Sequence, residues 1–140
     1  MQQNHNGYLN YELPESWCAE ENEDQLVLYN PNGEGAMVLS FFNVLSNEMS
    51  LEEQIIVMAK KFLDKNAIKL KGSLILVNTE EGKTVLYGEG TTCDAWFMKL
   101  WLVAKKRKIV FATYESEQKT DEIKICDSIV NSFCFVYGNF

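Results

Sequence analysis

Residues 95–104 read AWFMKLWLVA, and after four basic residues a second apolar run, IVFATYES, follows at 109–116. In an extended strand, successive side chains point to opposite faces of the sheet. The first run is then apolar on both faces, with Trp96, Met98, Leu100 and Leu102 on one and Phe97, Trp101 and Val103 on the other. Such a strand needs a covering layer on each side. We expect a helix on each face, or one face buried in a dimer.

Two segments have the pattern of amphipathic helices. The first, SLEEQIIVMAKKFLDKN (50–66), opens with the capping-box pair Ser50 and Glu53 and ends at Asn66. Its apolar residues recur at helical spacing: Leu51, Ile55, Met58, Ala59, Phe62 and Leu63. The second helix opens at Thr120, Asp121 and Glu122, and its two acidic residues suit a first turn. Its apolar stripe is Ile123, Cys126, Ile129, Val130 and Phe133.

The remaining patterns predict strands at 8–13, 25–30, 36–44, 73–79, 84–92, 95–104 and 109–116. NPNGEG (30–35) predicts a type I turn with Pro31 and Gly33 in their preferred places. We therefore predict one α+β domain over 1–140: a twisted antiparallel sheet of about six or seven strands, built as an N-terminal hairpin and a meander, between two helices. Residues 1–6 are expected to be a disordered polar tail, 15–24 an acidic connection, and 134–140 a segment packed on the sheet.

The net charge of −7 and the pI of about 4.7 disfavour partners that carry phosphates, namely nucleic acid and anionic lipid. No window reaches the roughly 18 apolar residues of a membrane span, and MQQNHNGY has no signal-peptide pattern. We expect a soluble, cytoplasmic protein with neither a nucleic-acid nor a membrane partner.

Few residue types for catalysis or metal binding are present. The four cysteines (Cys18, Cys93, Cys126 and Cys134) include no C-x-x-C pair, and the one histidine, His5, lies in the expected tail. We predict buried free thiols, or two disulfides if the protein is exported. No catalytic triad, metal centre or cofactor site is predicted.

Charged residues near two glycines offer one catalytic hypothesis. GEGTTCD (88–94) completes no phosphate-binding motif, and Gly88 and Gly90 are more typical of a bulge or a close backbone approach. Glu89 and Asp94 would make a carboxylate pair for acid–base chemistry or metal binding if they met. We favour two solvated charges.

Two charge clusters have simple explanations. The acidic run Glu15, Glu20, Glu21, Glu23 and Asp24 lacks calcium-loop spacing and predicts a solvated loop, or a docking surface for a basic partner. The basic tetrad 105–108 (KKRK) lies where two strands must reverse. It predicts a solvated hairpin turn, because nucleic-acid binding would need more basic residues along one face.

The opening YLNYELPESW (8–17) places Tyr11, Leu13, Pro14 and Trp17 in an aromatic-x-Leu-Pro-x-x-Trp pattern, before NPNGEGAMVLSFF (30–42). With this order of elements the chain resembles the PsbP-like superfamily, which includes the Mog-like proteins, and looks most like its uncharacterised bacterial members. The resemblance implies an α/β/α sandwich and a role in binding or assembly, but assigns no functional residue. In this chain we expect Pro14 to end a strand and Trp17 to anchor the connection in the core.

These observations favour a small bacterial binding module without enzymatic activity, acting on another protein or as a homodimer. An alternative is a small-molecule binder or hydrolase that uses Glu89 and Asp94 near the Gly88–Gly90 strand. A third hypothesis, an inhibitor from a bacterial competition locus, fits only the small size and acidic charge of the chain.

Overall fold

The computed structural model describes residues 1–44 and 48–137. Its strands are β1 (Gln2–His5), β2 (Leu9–Glu12), β3 (Cys18–Asn22), β4 (Gln25–Tyr29), β5 (Gly35–Asn43), β6 (Lys69–Asn78), β7 (Thr84–Thr91), β8 (Phe97–Lys105), β9 (Lys108–Ser116) and β10 (Cys134–Phe135). The helices are α1 (Leu51–Lys65) and α2 (Glu122–Asn131).

Seven of these strands form one antiparallel sheet in the order β3-β4-β5-β9-β8-β7-β6. The first three strands form a meander, and α1 then carries the chain to the opposite edge of the sheet. The second meander, β6 to β9, returns from that edge until β9 pairs with β5. The predicted α+β class and antiparallel meander are confirmed, and the topology leaves β3 and β6 as the two edges.

The two faces of β8 explain the layers. Met98, Leu100 and Leu102 lie in one apolar cluster with the buried α1 residues Ile55, Ala59 and Leu63. Trp101 and Val103 lie in a second cluster with the α2 residues Ile123, Cys126, Ile129 and Val130. The predicted sandwich is therefore confirmed, and no dimer is needed to cover either face of β8. Trp96 is the exception, because it precedes β8 and stays 43% exposed after Ala95 turns the chain at φ 65°.

The predicted helix signals act as expected. The Ser50 hydroxyl accepts the Glu53 backbone N–H at 3.1 Å, which satisfies one of the free donors of the first turn. Asn66 caps the other end of α1. In the predicted turn, the Gly33 N–H donates to the Asn30 carbonyl at 2.8 Å, the hydrogen bond that commonly closes a β-turn. Trp17 is 5% exposed and lies in the α2-side core, as predicted.

Three segments differ from the predictions, one at each end of the chain and one at β3. The expected tail at 1–6 instead contains β1, which pairs with β2 from Gln2 opposite Glu12 to His5 opposite Leu9. The expected acidic connection contains β3, paired with β4. The C-terminal segment packs as predicted, but β10 joins β2 in a small three-stranded sheet rather than the large one. Residues 138–140 lie outside the described part of the chain.

Candidate binding groove

Helix α2 covers the middle of its face of the sheet and leaves the β6 side open. The opening is a groove of about 330 Å³, which we call the α2 groove. It is lined by Val77, Thr79, Val85, Tyr87, Lys99, Trp101, Asp127, Val130 and Asn131. On its outer rim, Ile75 and Val77 of β6 are 46% and 41% exposed, although both are apolar. Adjacent exposed apolar side chains beside a cavity are typical of a binding surface.

A buried charge lies at the base of the groove. Lys99 interrupts the apolar pattern of β8, and its side chain is 8% exposed. Its Nζ lies 2.8 Å from Oδ1 of Asp127 on α2, and the same oxygen accepts the Trp101 indole N–H at 3.1 Å. A buried ammonium group is costly without such a partner. The ion pair therefore fixes the position of α2 relative to β8 and so helps to set the width of the groove.

Two aromatic rings complete the surroundings of this lysine. Lys99 Nζ lies 5.2 Å from the ring centres of both Tyr87 and Trp101. Ring faces attract cations, most strongly where water is excluded. Asp127 remains 39% exposed, so its carboxylate also faces the groove. The groove therefore offers apolar walls, an aromatic floor and one carboxylate acceptor.

Neither Lys99 nor Asp127 is among the candidate site residues named from the sequence. The available signal was a single lysine within the apolar run at 95–104. Asp127 lies on a helix, and neither the spacing nor the composition of the chain indicates which aspartate will face a lysine 28 residues away. Only the packing of α2 on β8 brings the two together.

The alternative hypothesis of a carboxylate pair is not supported, because Glu89 and Asp94 are not brought together. Glu89 lies on the α2 side of the sheet, where its Oε1 accepts Lys119 Nζ at 2.9 Å. Asp94 lies in the exposed β7–β8 connection and lines a different cleft with the α1 residue Phe62 and Trp96. Two carboxylates on opposite sides of a sheet cannot share a proton or a substrate atom.

The two glycines that flank Glu89 have a packing role. A Cβ on Gly90 would lie 2.6 Å from the Lys69 carbonyl oxygen, and one on Gly88 would lie 2.8 Å from the Leu74 side chain. The expected close backbone approach is therefore confirmed for Gly90, whereas Gly88 makes room for a side chain of β6. Both glycines let β6 lie close against β7.

His5 is held in place, which corrects the expectation that it lies in a disordered tail. Its ring stacks on Phe41 at 4.4 Å, and its Nδ1 lies 3.1 Å from Oε1 of Glu21 without the angle of a hydrogen bond. The neighbouring cleft, about 450 Å³, also includes Glu23 and Asp24. Within residues 1–44 and 48–137, no group of three or more His, Cys, Asp or Glu residues is placed to hold a metal ion.

The basic tetrad forms the β8–β9 turn, with Lys105 opposite Lys108. Part of the prediction is wrong, however, because the tetrad is not simply solvated. Lys108 Nζ donates to the Val136 carbonyl and lies 4.4 Å from the ring centre of Tyr8. Arg107 donates to the Val44 carbonyl at 3.3 Å. The cluster therefore holds the C-terminal segment and the end of β5 in place.

Tyr8 connects the same region to the sheet. Its hydroxyl donates to the Phe42 carbonyl at 2.6 Å, and the Ile109 N–H donates to it at 3.2 Å. Burial raises the pKa of Tyr8 to about 12, since the charged phenolate would lose its hydration.

All four cysteines are free, but the prediction that they are buried holds for one of them. Cys126 is buried on the inner side of α2, and burial raises the pKa of its thiol well above the usual range. Cys93 and Cys134 are exposed and Cys18 is half-buried. Cys93 lies in the β7–β8 loop and Cys134 in the short strand β10, where no layer covers either side chain.

Comparisons with known proteins identify the architecture. No family model and no curated protein matches the chain. Among solved structures, cyanobacterial PsbP (CyanoP) from Synechocystis sp. PCC 6803 is similar with a TM-score of 0.70 at 12% identity, over 98% of this chain and 92% of that one. A mutant of protein Mog1 is similar with a TM-score of 0.64 at 9% identity, over 97% and 95% of the two chains.

A third solved structure, from Bacteroides thetaiotaomicron VPI-5482, has a TM-score of 0.59 at 15% identity, and the match covers 96% of this chain but 47% of that one. In the part of the chain that the structure describes, neither helix is long and apolar enough to cross a membrane. At such low identity the similarity concerns the fold alone. The chain has the PsbP-like fold that it shares with CyanoP and Mog1.

Proposed function

We propose that this chain is a protein-binding module without catalytic activity, and that the α2 groove receives a segment of its partner. The observation that carries the proposal is the apolar rim of Ile75 and Val77, more than two fifths exposed, beside a groove with a buried charge at its base. Burying such a rim on a partner removes apolar surface from water and stabilises the complex.

The residues of the groove suit recognition of a protein segment. Tyr and Trp are enriched at positions that dominate binding energy, because they supply large rigid surfaces with a polar end. The half-buried Tyr87 and Val85 lie here above the buried Trp101 and Val130, and an inserted apolar side chain would pack against Tyr87 and Val85. Asp127 is exposed enough to accept a hydrogen bond from a partner's backbone N–H.

The same features argue against catalysis and against phosphate-bearing partners. Lys99 already has a carboxylate and two ring faces as partners for its ammonium group. The carboxylates proposed for hydrolysis are apart, and the net charge of −7 repels nucleic acid and anionic lipid. A protein segment is therefore the favoured occupant.

Site-specific photo-cross-linking in cells of the source organism tests the proposal. A benzophenone side chain is placed at Tyr87 or Asn131 in the groove, and at Glu52 or Lys61 on the exposed side of α1 as controls. We expect discrete cross-linked protein adducts from the groove positions only, and their loss when Val77→Asp is added. The matched change Ile125→Asp, at a 37% exposed position on α2 outside the groove, should leave them intact.

Adducts from the controls alone, or adducts that survive Val77→Asp, would contradict the proposal. A small molecule recovered from the purified protein and displaced by Val77→Asp would instead support the alternative of a small-molecule binder, because 330 Å³ is near the lower end of ligand-pocket volumes.

A further inference from the structure

The outer edge of β6 is open. This strand ends the large sheet, and among the described residues it pairs only with β7. The unpaired backbone N–H and C=O groups of an edge strand are a template for another strand. Natural proteins usually protect such edges with charges, bulges or short strands.

The opposite edge shows that protection. β3 has the sequence CAEEN, and Glu20 and Glu21 are exposed along it. In β6 the protection is limited to the first half, where Lys69 and Lys71 are exposed and a bulge separates Lys71 from Ile75. The second half, residues 74–78 (LILVN), has no charged residue. Its apolar edge is therefore available for pairing.

The charges that flank this stretch are self-complementary. Lys69 and Lys71 precede it, and the exposed Glu80 and Glu81 follow it in the β6–β7 turn. If a second β6 lies antiparallel across a two-fold axis, the basic start of each strand lies beside the acidic turn of the other. The attraction occurs twice, as in any isologous interface. It opposes the repulsion between two copies that each carry a net charge of −7.

We infer that a second copy of this chain pairs with the 74–78 stretch of β6, forming an antiparallel homodimer with one continuous sheet across both copies. Ile75 and Val77 of the two copies then meet on the α2 side, and Leu74 and Leu76 meet on the α1 side, because side chains alternate along a strand. Each contact buries apolar surface that the isolated chain leaves in water. The two α2 grooves come to lie side by side across the axis.

Charge exchange provides the test. The variant K69E/K71E makes both flanks of β6 acidic, and E80K/E81K makes both basic; none of these residues lines the α2 groove. Sedimentation velocity over a concentration series measures the dimer dissociation constant for each protein. At low salt, we expect the dimer dissociation constant of each variant alone to be at least about tenfold higher than that of the wild type. The reason is that up to four exposed ion pairs become pairs of like charges.

An equimolar mixture of the two variants should restore association, because each acidic flank then meets a basic one. A wild-type chain that stays monomeric up to millimolar concentration overturns the inference. So does a dimer that neither variant weakens, or a mixture that fails to associate. Far-UV circular dichroism checks that each variant is folded. Because these substitutions leave the α2 groove unaltered, photo-cross-linking of a different protein to the groove tests the proposed function independently of dimerisation.

Discussion

Removing the Asp127 carboxylate should destabilise the fold far more than removing the Lys99 charge. The two groups are 39% and 8% exposed, so their environments differ although they form one pair. In Asp127→Ala, the Lys99 ammonium stays buried without its carboxylate, and the Trp101 N–H loses its acceptor. In Lys99→Met, the apolar stem is kept and the half-exposed Asp127 can be hydrated.

The magnitudes follow from burial. Breaking a fully buried pair from one side costs about 3–5 kcal/mol. Because Asp127 is more than a third exposed, we expect about 2–3 kcal/mol for Asp127→Ala, which includes the unpaired indole N–H. Lys99→Met should cost about 0–1 kcal/mol, since an apolar replacement of a buried charge is often neutral. The double variant should cost about 1 kcal/mol, less than Asp127→Ala alone, because no buried charge remains.

Urea unfolding at neutral pH, followed by fluorescence and circular dichroism, measures these differences as midpoint shifts of about 1–2 M for Asp127→Ala. Asp127→Asn separates the two contributions, because the amide oxygen still accepts from Trp101 while the charge is gone. The exposed i,i+3 pair of Lys124 and Asp121 is the control on the same helix, and Lys124→Ala should produce no measurable shift. Equal and additive losses for Lys99→Met and Asp127→Ala would refute the reasoning.

Three further predictions concern packing, pH and thiol reactivity. Gly90→Ala should lower the urea midpoint more than Gly88→Ala, since the new Cβ meets a backbone carbonyl in the first case and a flexible side chain in the second; the reverse order would contradict this. Stability should fall as the pH rises from about 10 to 12, because unfolded tyrosine releases its proton before Tyr8 does in the fold, and Tyr8→Phe should reduce that loss in pH-dependent melting; an unchanged slope would contradict it. Cys93 should react with a thiol reagent in the native state and Cys126 only after unfolding; rapid native labelling of Cys126 would show that α2 opens.

The elements with strong periodicity could be predicted from the sequence. The double-sided pattern of β8 required two covering layers, and α1 and α2 supply them with the predicted residues. β1 and β3 could not be predicted, because their polar sequences, QQNH and CAEEN, lack the apolar alternation that marks a strand. They are strands because β2 and β4 offer unpaired backbone groups beside them.

The α2 groove could not be predicted from the sequence, for a different reason. It exists because α2 has 10 residues and covers only the middle of a seven-stranded sheet, so its position depends on helix length, sheet width and the Lys99–Asp127 contact together. Local patterns report which side of an element is apolar, whereas a cavity depends on how far one element extends over another. A hypothetical pair based only on closeness in sequence, such as Glu89 and Asp94, fails for the same reason.

The two proposals constrain each other through Val77, which lies both on the groove rim and in the pairing stretch of β6. In an antiparallel dimer, the rims of two copies join, so a partner would meet a floor with two-fold symmetry flanked by two α2 helices. A partner that engages both grooves would then bind with the avidity of two linked contacts, and the charge-exchanged variants would lower its affinity although no groove residue has changed. A partner that needs the open β6 edge would instead compete with dimerisation, and the same variants would raise its affinity. The direction of that change distinguishes a dimeric platform from a monomeric receptor.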